Sequence, residues 1–311
     1  MNITGILSYL IFFLTFAGIY AVMTLALNMQ RGFAGLFNIG IAGFWAVGSY
    51  TTAILTTEPS VNYLGGFGLP IIVGLFVSGL VSAFLALLVG IPTLRLREDY
   101  LGITTIGIAE IIRLIFKNEA WLTYGVRGIS GIPKPLRDLA GQNYNIVFLI
   151  VVLAVIALFY YLSEKGIHSP WGRVLKAIRE DEEVAKASGK NVFRYRMEAL
   201  VFGAFMMGVG GALYAHFTGF ISPEAFKPMQ TTFIVWIMLI IGGSGNNFGV
   251  LIGSVITWGI WTGTEFITGM LPAAYTTQAA TLRVILIGLF LEFVLLNKPE
   301  GLFPEKRYNK E

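Results

Sequence analysis

The chain alternates between long apolar stretches and short polar connections. Nine apolar stretches lie near residues 6–28, 34–57, 69–91, 101–117, 146–163, 199–217, 230–243, 248–262 and 280–297. Crossing a bilayer takes about 20 helical residues, and most of these stretches approach that length. Inside hydrocarbon every backbone group needs an internal partner, so spans are helices or the strands of a closed barrel. Barrel strands alternate apolar and polar residues. Runs such as IVFLIVVLAVIALFYYL (Ile146–Leu162) do not. The pattern therefore predicts an all-α, polytopic helical membrane protein with about 8–10 transmembrane helices. The stretches at 230–243 and 248–262 are short for full spans and are expected to be partly re-entrant. No connection is long enough to build a separate soluble core, so residues 1–311 are expected to form a single transmembrane domain. The opening MNITGILSYL has no basic residue ahead of its apolar run, which fits a first span rather than a cleaved signal peptide. NIG (Asn38–Gly40) and NFG (Asn247–Gly249) each sit beside a glycine-rich break, but two tripeptides do not make an internal repeat.

Composition supports this picture. Residues are 55% hydrophobic and 13% charged, against roughly 25% charged in soluble proteins. The net charge of +4 does not indicate a nucleic-acid partner, because the basic residues collect in connections, as in membrane proteins generally. The 164–198 connection holds Lys165, Arg173, Lys176, Arg179, Lys186, Lys190, Arg194 and Arg196. The tail holds Lys298, Lys306, Arg307 and Lys310, and the 92–100 connection holds Arg95 and Arg97. These three are expected to be cytoplasmic. Connections 58–68 and 263–279 have no Lys or Arg and 218–229 has only Lys227, so they are expected outside. An odd span count then leaves the N-terminus outside and the C-terminus in the cytoplasm. The 118–145 connection runs against the trend: it must be external, yet carries Arg127, Lys134 and Arg137. The absence of cysteine excludes disulfides, thiolate metal sites and cysteine nucleophiles.

One segment breaks the apolar pattern. GRVLKAIREDEEVAKASGKNVFRYR (Gly172–Arg196) has 11 charged residues in 25. Ser169-Pro170 is a helix start: a hydroxyl that can cap, then proline at the first helical position. Val174, Leu175, Ile178 and Val184 are spaced for a partial apolar face. Gly189 is a natural stop, and Lys186 in the last turn suits the helix dipole. One or two short cytoplasmic helices are expected. Such a segment is either a solvated amphipathic connector resting on membrane lipid or a docking helix for a cytoplasmic partner. The chain has no G-x-x-x-x-G-K-[ST] phosphate loop. If it performs ATP-driven transport, the work must enter from another protein.

The same segment resembles the cytoplasmic coupling region of the LivM-type permeases of branched-chain amino acid ABC importers. LNMQRGFAGLFNIGIAGFWAVGSY (Leu27–Tyr50) is similar to the family's early glycine-rich span. LRLREDYLGITTIGIAEIIRLIFKNEAWLTYGVRGISGIP (Leu94–Pro133) is similar to its middle segment. GGALYAHFTGFISPEAF (Gly210–Phe226) and EGLFP (Glu300–Pro304) also fit, in the same order. The resemblance implies a multi-pass permease of a prokaryotic plasma (inner) membrane. Its implied partners are two ABC ATPase subunits, a second, LivH-like permease chain and an extracytoplasmic substrate-binding protein. Arg173, Lys176, Arg179, Glu180, Asp181, Glu182, Glu183, Lys186 and Gly189 would make the ATPase contact. Two departures bear on substrate and partner fit: Asn246-Asn247 within GGSGNNFG, and Tyr124 and Arg127 within TYGVRGI.

Polar residues inside apolar stretches mark the expected translocation path: Asn38, Gly40, Thr104, Thr105, Glu110 and Arg113. Each charge costs roughly 2.5–3.5 kcal/mol at a helix centre. Glu110 and Arg113 are three residues apart and can pair, either as a wall of the path or as a packing device. Asn38 sits among glycines that permit tight packing or an unwound turn. Thr104 and Thr105 either line a path or bond back to their own helix. Glu292 in the last span poses the same choice as Glu110, and Arg283 is expected near that span's outer end. His168 is expected in solvent and His216 at an interface. Trp121, Trp171 and Tyr50 fit interfacial anchors. No catalytic, metal-binding or cofactor-binding constellation is visible. The aliphatic amino acid of the resemblance suits an apolar path. Urea, short amides or a sugar through the same architecture, and an ion-coupled secondary transporter using Glu110 and Glu292, stay open at this point.

Overall fold

A computed structural model describes residues 3–61, 63–137, 141–268 and 276–305, with side chains except at 3–4, 142, 229–230, 265–268 and 276–283. Among the described residues nine helices are 15 residues or longer. They are α1 (Ile3–Leu27), α2 (Ile41–Thr56), α3 (Ile71–Thr93), α4 (Glu98–Asn118), α6 (Tyr144–Ile167), α9 (Val192–Thr218), α10 (Pro228–Gly242), α11 (Asn247–Thr268) and α12 (Thr276–Asn297). Three short helices complete the set: α5 (Ala120–Thr123), α7 (Pro170–Glu180) and α8 (Glu182–Ala187). Four segments, Gly5–Phe33, Ile71–Thr93, Tyr144–Ile167 and Val192–Thr218, are each long and apolar enough to cross a membrane.

Helix α9 lies at the centre and packs along α2 and α3; α1 packs on α6 and α11. Small residues bring α9 and α2 together. A Cβ on Gly48 would run into the backbone of Gly208, and one on Gly211 into the carbonyl of Trp45. Serines then bond across the closed gaps, Ser49 Oγ to the Gly211 carbonyl (2.8 Å) and Ser78 Oγ to the Gly48 carbonyl (2.9 Å). This is how helices associate in lipid, where apolar burial gives no drive. The opposite face of α3 is bare: Ile72, Phe76, Leu80, Phe84, Leu88 and Ile91 are exposed at three- or four-residue spacing. Such a stripe suits lipid or another apolar chain, not water.

Several predicted boundaries move. The 34–57 stretch becomes helical only at Ile41, because Gly35 turns the chain at φ +71° and the Asn38 side chain engages the backbone N–H of Gly40. The 199–217 span begins at Val192, capped by Asn191 Oδ1 on the Arg194 amide (3.1 Å), so Arg194, Arg196 and Glu198 are helical. The 248–262 stretch is the start of a 22-residue helix, long enough to span rather than re-enter. Helix α10 has 15 residues and stays short.

The connections sort into two groups. Ile129–Ser130 pairs antiparallel with Phe220–Ile221, so connections 118–145 and 218–229 meet at one end. At the other end of α4, Glu98 meets Arg31, while the tail residue Glu305 meets Lys176 and Arg179. The basic 118–145 connection thus sits with the neutral ones, as the span count requires. Two residues expected at interfaces are interior. Tyr50 is buried, its ring 4.3 Å from that of Phe116. His216 is buried between Thr52 Oγ1 (2.8 Å) and the Pro133 carbonyl (2.7 Å), tying α9 to α2 and to the 118–145 connection.

Candidate functional site

The first long helix does not simply stop. Asn28–Phe33 continues it as a π-helical turn, a form that recurs at functional sites. The residues between this turn and α2 are irregular yet mostly buried, and Asn38 has no exposed surface. Irregular backbone at membrane depth survives only where protein or a water-filled path satisfies it. Here the partners come from four directions. Asn38 Nδ2 donates to Gln30 Oε1 (2.8 Å), and Gln30 Nε2 donates to the Leu200 carbonyl of α9 (2.9 Å). Asn38 Oδ1 accepts from the Gly40 amide (2.7 Å). The Ile39 amide donates to Thr105 Oγ1 of α4 (3.0 Å). From α10, Thr232 Oγ1 donates to the Ile39 carbonyl (3.0 Å) and Trp236 Nε1 to the Asn38 carbonyl (3.2 Å). A Cβ on Gly40 would strike the Thr105 carbonyl, so α2 begins pressed against α4. Thr105 also donates to the Gly102 carbonyl of its own helix (3.0 Å) and is buried; Thr104 beside it is half-buried. Thr105 is about 10 Å along α4 from Glu98 at 1.5 Å per residue, well inside the bundle.

A second buried network crosses the same end of the bundle. Asn28 Oδ1 accepts from the Gly245 amide (2.8 Å), and Asn28 Nδ2 donates to Asn247 Oδ1 (2.9 Å). Asn247 Nδ2 donates to Glu164 Oε1 of α6 (3.0 Å). Its neighbour Asn246 bonds the Gly249 amide (3.0 Å) and the Pro304 carbonyl (3.3 Å). Asn246 and Asn247 thus both bond within this chain.

The charged insertion folds as α7 and α8. Ser169 Oγ caps α7 on the Gly172 amide (3.5 Å); Asp181 Oδ1 caps α8 on the Glu183 and Val184 amides (3.0 Å each). Leu175 and Ile178 turn inward, and on α8 the inward position is Ala185, which packs with Ile178 and Val192, while Val184 is 61% exposed. The nominated coupling residues divide. Arg173, Glu180, Asp181, Glu183 and Gly189 face outward. Lys176 and Arg179 face the chain. Lys176 lies over the Phe33 ring (5.5 Å) and pairs with Glu305 (2.8 Å). Arg179 donates one guanidinium nitrogen to the Gly32 carbonyl in the π-turn and another to Glu305 (2.7 Å). Glu182 bridges Lys186 and Arg196, each at 2.7 Å. Burial pushes its carboxyl pKa up, but the Lys186 hydrogen bond and the Arg196 charge outweigh that and hold it below the ordinary range. A continuous bonded route therefore runs from α7 through Gly32 to Gln30, Asn38 and Thr105.

The remaining predicted pair lies toward the other end of α4. Arg113 grips Glu110 through Nε (2.9 Å) and Nη2 (2.5 Å). Arg113 and Lys117 also reach Glu224 (3.3 and 3.6 Å), which Lys227 holds at 2.6 Å. Glu110 and Arg113 are thus part of a five-residue ionic cluster joining α4 to the connection before α10. The Glu224 carboxyl is held below its ordinary range, chiefly by the Lys227 hydrogen bond. Glu292 is exposed on α12, and the Arg283 side chain lies outside the described residues, as do Lys306, Arg307 and Lys310 of the tail. Among the described residues no group of acidic or histidine side chains is placed to hold a metal ion.

Comparison with known proteins decides the family. The profile of the branched-chain amino acid transport system / permease component family matches residues 9–295. The chain belongs to that family. The LivM high-affinity branched-chain amino acid permease of Salmonella typhimurium is 31% identical over 94% of this chain and 69% of its own length. The nucleoside ABC transporter permease NupC of Lactococcus lactis is 22% identical over 88% of each chain. The LivH branched-chain amino acid permease of Salmonella typhimurium is 23% identical over 92% of this chain and 94% of its own length. No solved structure matches it.

Set in this permease, the buried break at Asn38 has several partners that its sequence does not announce. Asn28 ends the first apolar run and Gln30 follows it, and both pass for loop residues, although two amides beside an apolar segment were a signal of buried hydrogen bonding. Thr232 and Trp236 reach the break from nearly 200 positions away, at sequence separations of 193 and 198. Glu305 and Glu224 carry no local signal at all.

Proposed function

We propose that this chain is the transmembrane permease subunit of an ATP-driven importer that moves branched-chain or other aliphatic amino acids across a prokaryotic plasma membrane. It works with two ABC ATPase subunits, a LivH-like second permease and an extracytoplasmic binding protein, with its N-terminus outside and its C-terminus in the cytoplasm. The observation that carries this reading is the hydrogen bond from Arg179 to the Gly32 carbonyl. It joins the charged cytoplasmic segment to the turn that supports the buried break at Asn38. ATP-driven movement of the exposed face around Arg173, Glu180 and Glu183 would pass through α7 to that turn and shift α2 against α4.

The test is reconstitution. The chain, co-expressed with its neighbouring transport genes, should retain an ATPase pair in detergent and support ATP-dependent leucine uptake in proteoliposomes. Charge reversal by Glu183→Lys on the exposed face should release the ATPase. Uptake that persists without an ATPase and collapses with the proton gradient would make the chain a secondary transporter. The likeness to NupC favours a second reading of the cargo, a nucleoside through the same architecture; competition of leucine uptake by adenosine or uridine would support it. Orientation is tested separately. The chain has no cysteine, so a thiol introduced at Ser188 reports its side directly, and labelling by an impermeant reagent on intact cells would refute a cytoplasmic insertion.

A further inference from the structure

Where α7 leaves the bundle, a cavity of about 510 Å³ opens between its first turn and the first turns of α9. Trp171 and Val174 form one wall; Lys190, Arg194, Tyr195 and Glu198 form the other. The charges in this groove are unequal. Glu198 is already committed, accepting from Trp171 Nε1 (2.8 Å) and from Arg194 Nε (2.8 Å). Arg194 then has both terminal nitrogens left to donate. Among the described residues no carboxylate lies within ion-pairing distance of Lys190. The groove therefore offers several uncommitted cationic donors beside two aromatic walls.

Its level in the bundle matters as much. Helix α6 ends at Ile167 just before it, and the apolar part of α9 starts at Ala199 just beyond Glu198. Around it, exposed aromatic rings carry cations folded back over them: Lys165 over Tyr161 (6.0 Å) and Arg95 over Phe193 (5.9 Å). Exposed Leu162 lies beside Tyr161. Aromatic rings with long basic side chains folded over them are the arrangement found where hydrocarbon meets headgroups. A phosphodiester fits these donors: one negative charge, two free oxygens for Lys190 and Arg194, and acyl chains for the apolar flank.

We propose that this groove is a binding site for the phosphate headgroup of an anionic phospholipid, which braces α7 against α9. Inorganic phosphate offers the same oxygens but no chains, and the exposed apolar flank selects the lipid. The site is distinct from the outward charges of α7 and α8 and does not depend on the identity of the cargo.

Native mass spectrometry of the full chain in mild detergent tests the site, with phosphatidylglycerol and phosphatidylcholine added in turn. Phosphatidylglycerol should be retained in preference. Each cation near a membrane surface contributes about fivefold in affinity, so Lys190→Ala should lower that preference about fivefold and Lys190→Ala with Arg194→Ala about 25-fold. Lys298→Ala, removing a basic residue elsewhere on the same side, should leave it intact. Circular dichroism of each variant confirms that the helices persist. Equal retention of the two lipids by the native chain, or a preference unchanged in the double variant, would overturn the site. Displacement of phosphatidylglycerol by millimolar inorganic phosphate would overturn the lipid as its occupant.

Discussion

Replacing Arg179 by alanine should uncouple this permease more than it unfolds it. Two contacts are lost. The guanidinium no longer donates to the Gly32 carbonyl, a hydrogen bond from a charged donor worth about 1.5–3 kcal/mol. The pair with Glu305 also goes; its side chains are 25% and 20% exposed, so about 0.5–1 kcal/mol is a fair allowance after solvent screening. The link between α7 and the π-turn therefore weakens by about 2–4 kcal/mol, equivalent to roughly 30- to 700-fold in a local docking equilibrium at 1.4 kcal/mol per tenfold. The bundle itself is held by α9 against α2 and α3, which Arg179 does not touch. Expression and thermal midpoint should change by only a few degrees. In the reconstituted importer, ATP hydrolysis should continue while leucine uptake per ATP falls at least tenfold. Glu305→Ala removes the ion pairs with Lys176 and Arg179, about 1–2 kcal/mol at the same allowance, and should weaken the same docking equilibrium about 5- to 30-fold. An Arg179→Ala importer with native uptake per ATP would refute the bonded route from α7 to Asn38. So would a double-mutant cycle in which Arg179→Ala and Gln30→Leu combine with no coupling energy.

Thr105→Val keeps the side-chain volume but leaves the half-buried Ile39 amide without its acceptor, a loss of about 1–3 kcal/mol; a lowered midpoint in detergent that Thr105→Ser restores is the expected outcome. Gly48→Val drives a side chain into the Gly208 backbone, and the chain should fail to accumulate in membranes, whereas Gly107→Ala, which meets open space, should accumulate normally. The ionic cluster around Glu224 makes stability pH-dependent. Glu224 has its carboxyl pKa lowered from 4.5, so its contribution is fully present above that value and is lost as pH falls through the lower folded value. Glu224→Gln should flatten the fall of the thermal midpoint below pH 4.5 and leave its slope near neutrality unchanged.

The spans were legible because lipid imposes a crude rule: a helix long enough to cross must be apolar along its length. Each of the nine apolar stretches holds a helix, four of them long and apolar enough to cross, and the Ser169 start and Gly189 stop of the insertion held, because caps and turns are local. What stayed hidden depends on tertiary partners. AGLFNIG (residues 34–40) is as apolar as a helix, and only Gly35 and Asn38 hint that it breaks. Arg179 looked like one more surface charge, although it follows Ile178 on the side that turns inward. Tyr50 and His216 looked interfacial, because amphipathic side chains near a helix end usually are. These failures share one physical cause. In a membrane bundle polar groups cannot be left to water, and those around the break are satisfied by residues distant in sequence: Asn28, Gln30, Asn38, Ile39 and His216 all take part in bonds between elements. That same requirement bears on how the break at Asn38 can move. Its amide and carbonyl groups are held by α4 and α10 at once, and α9 holds the Gln30 amide that bonds the Asn38 side chain, so none of these helices can shift without breaking or transferring a bond. A segment with such divided attachments has few stable positions, and the charged α7 reaches the turn beside it through Arg179 on Gly32 and Lys176 over Phe33.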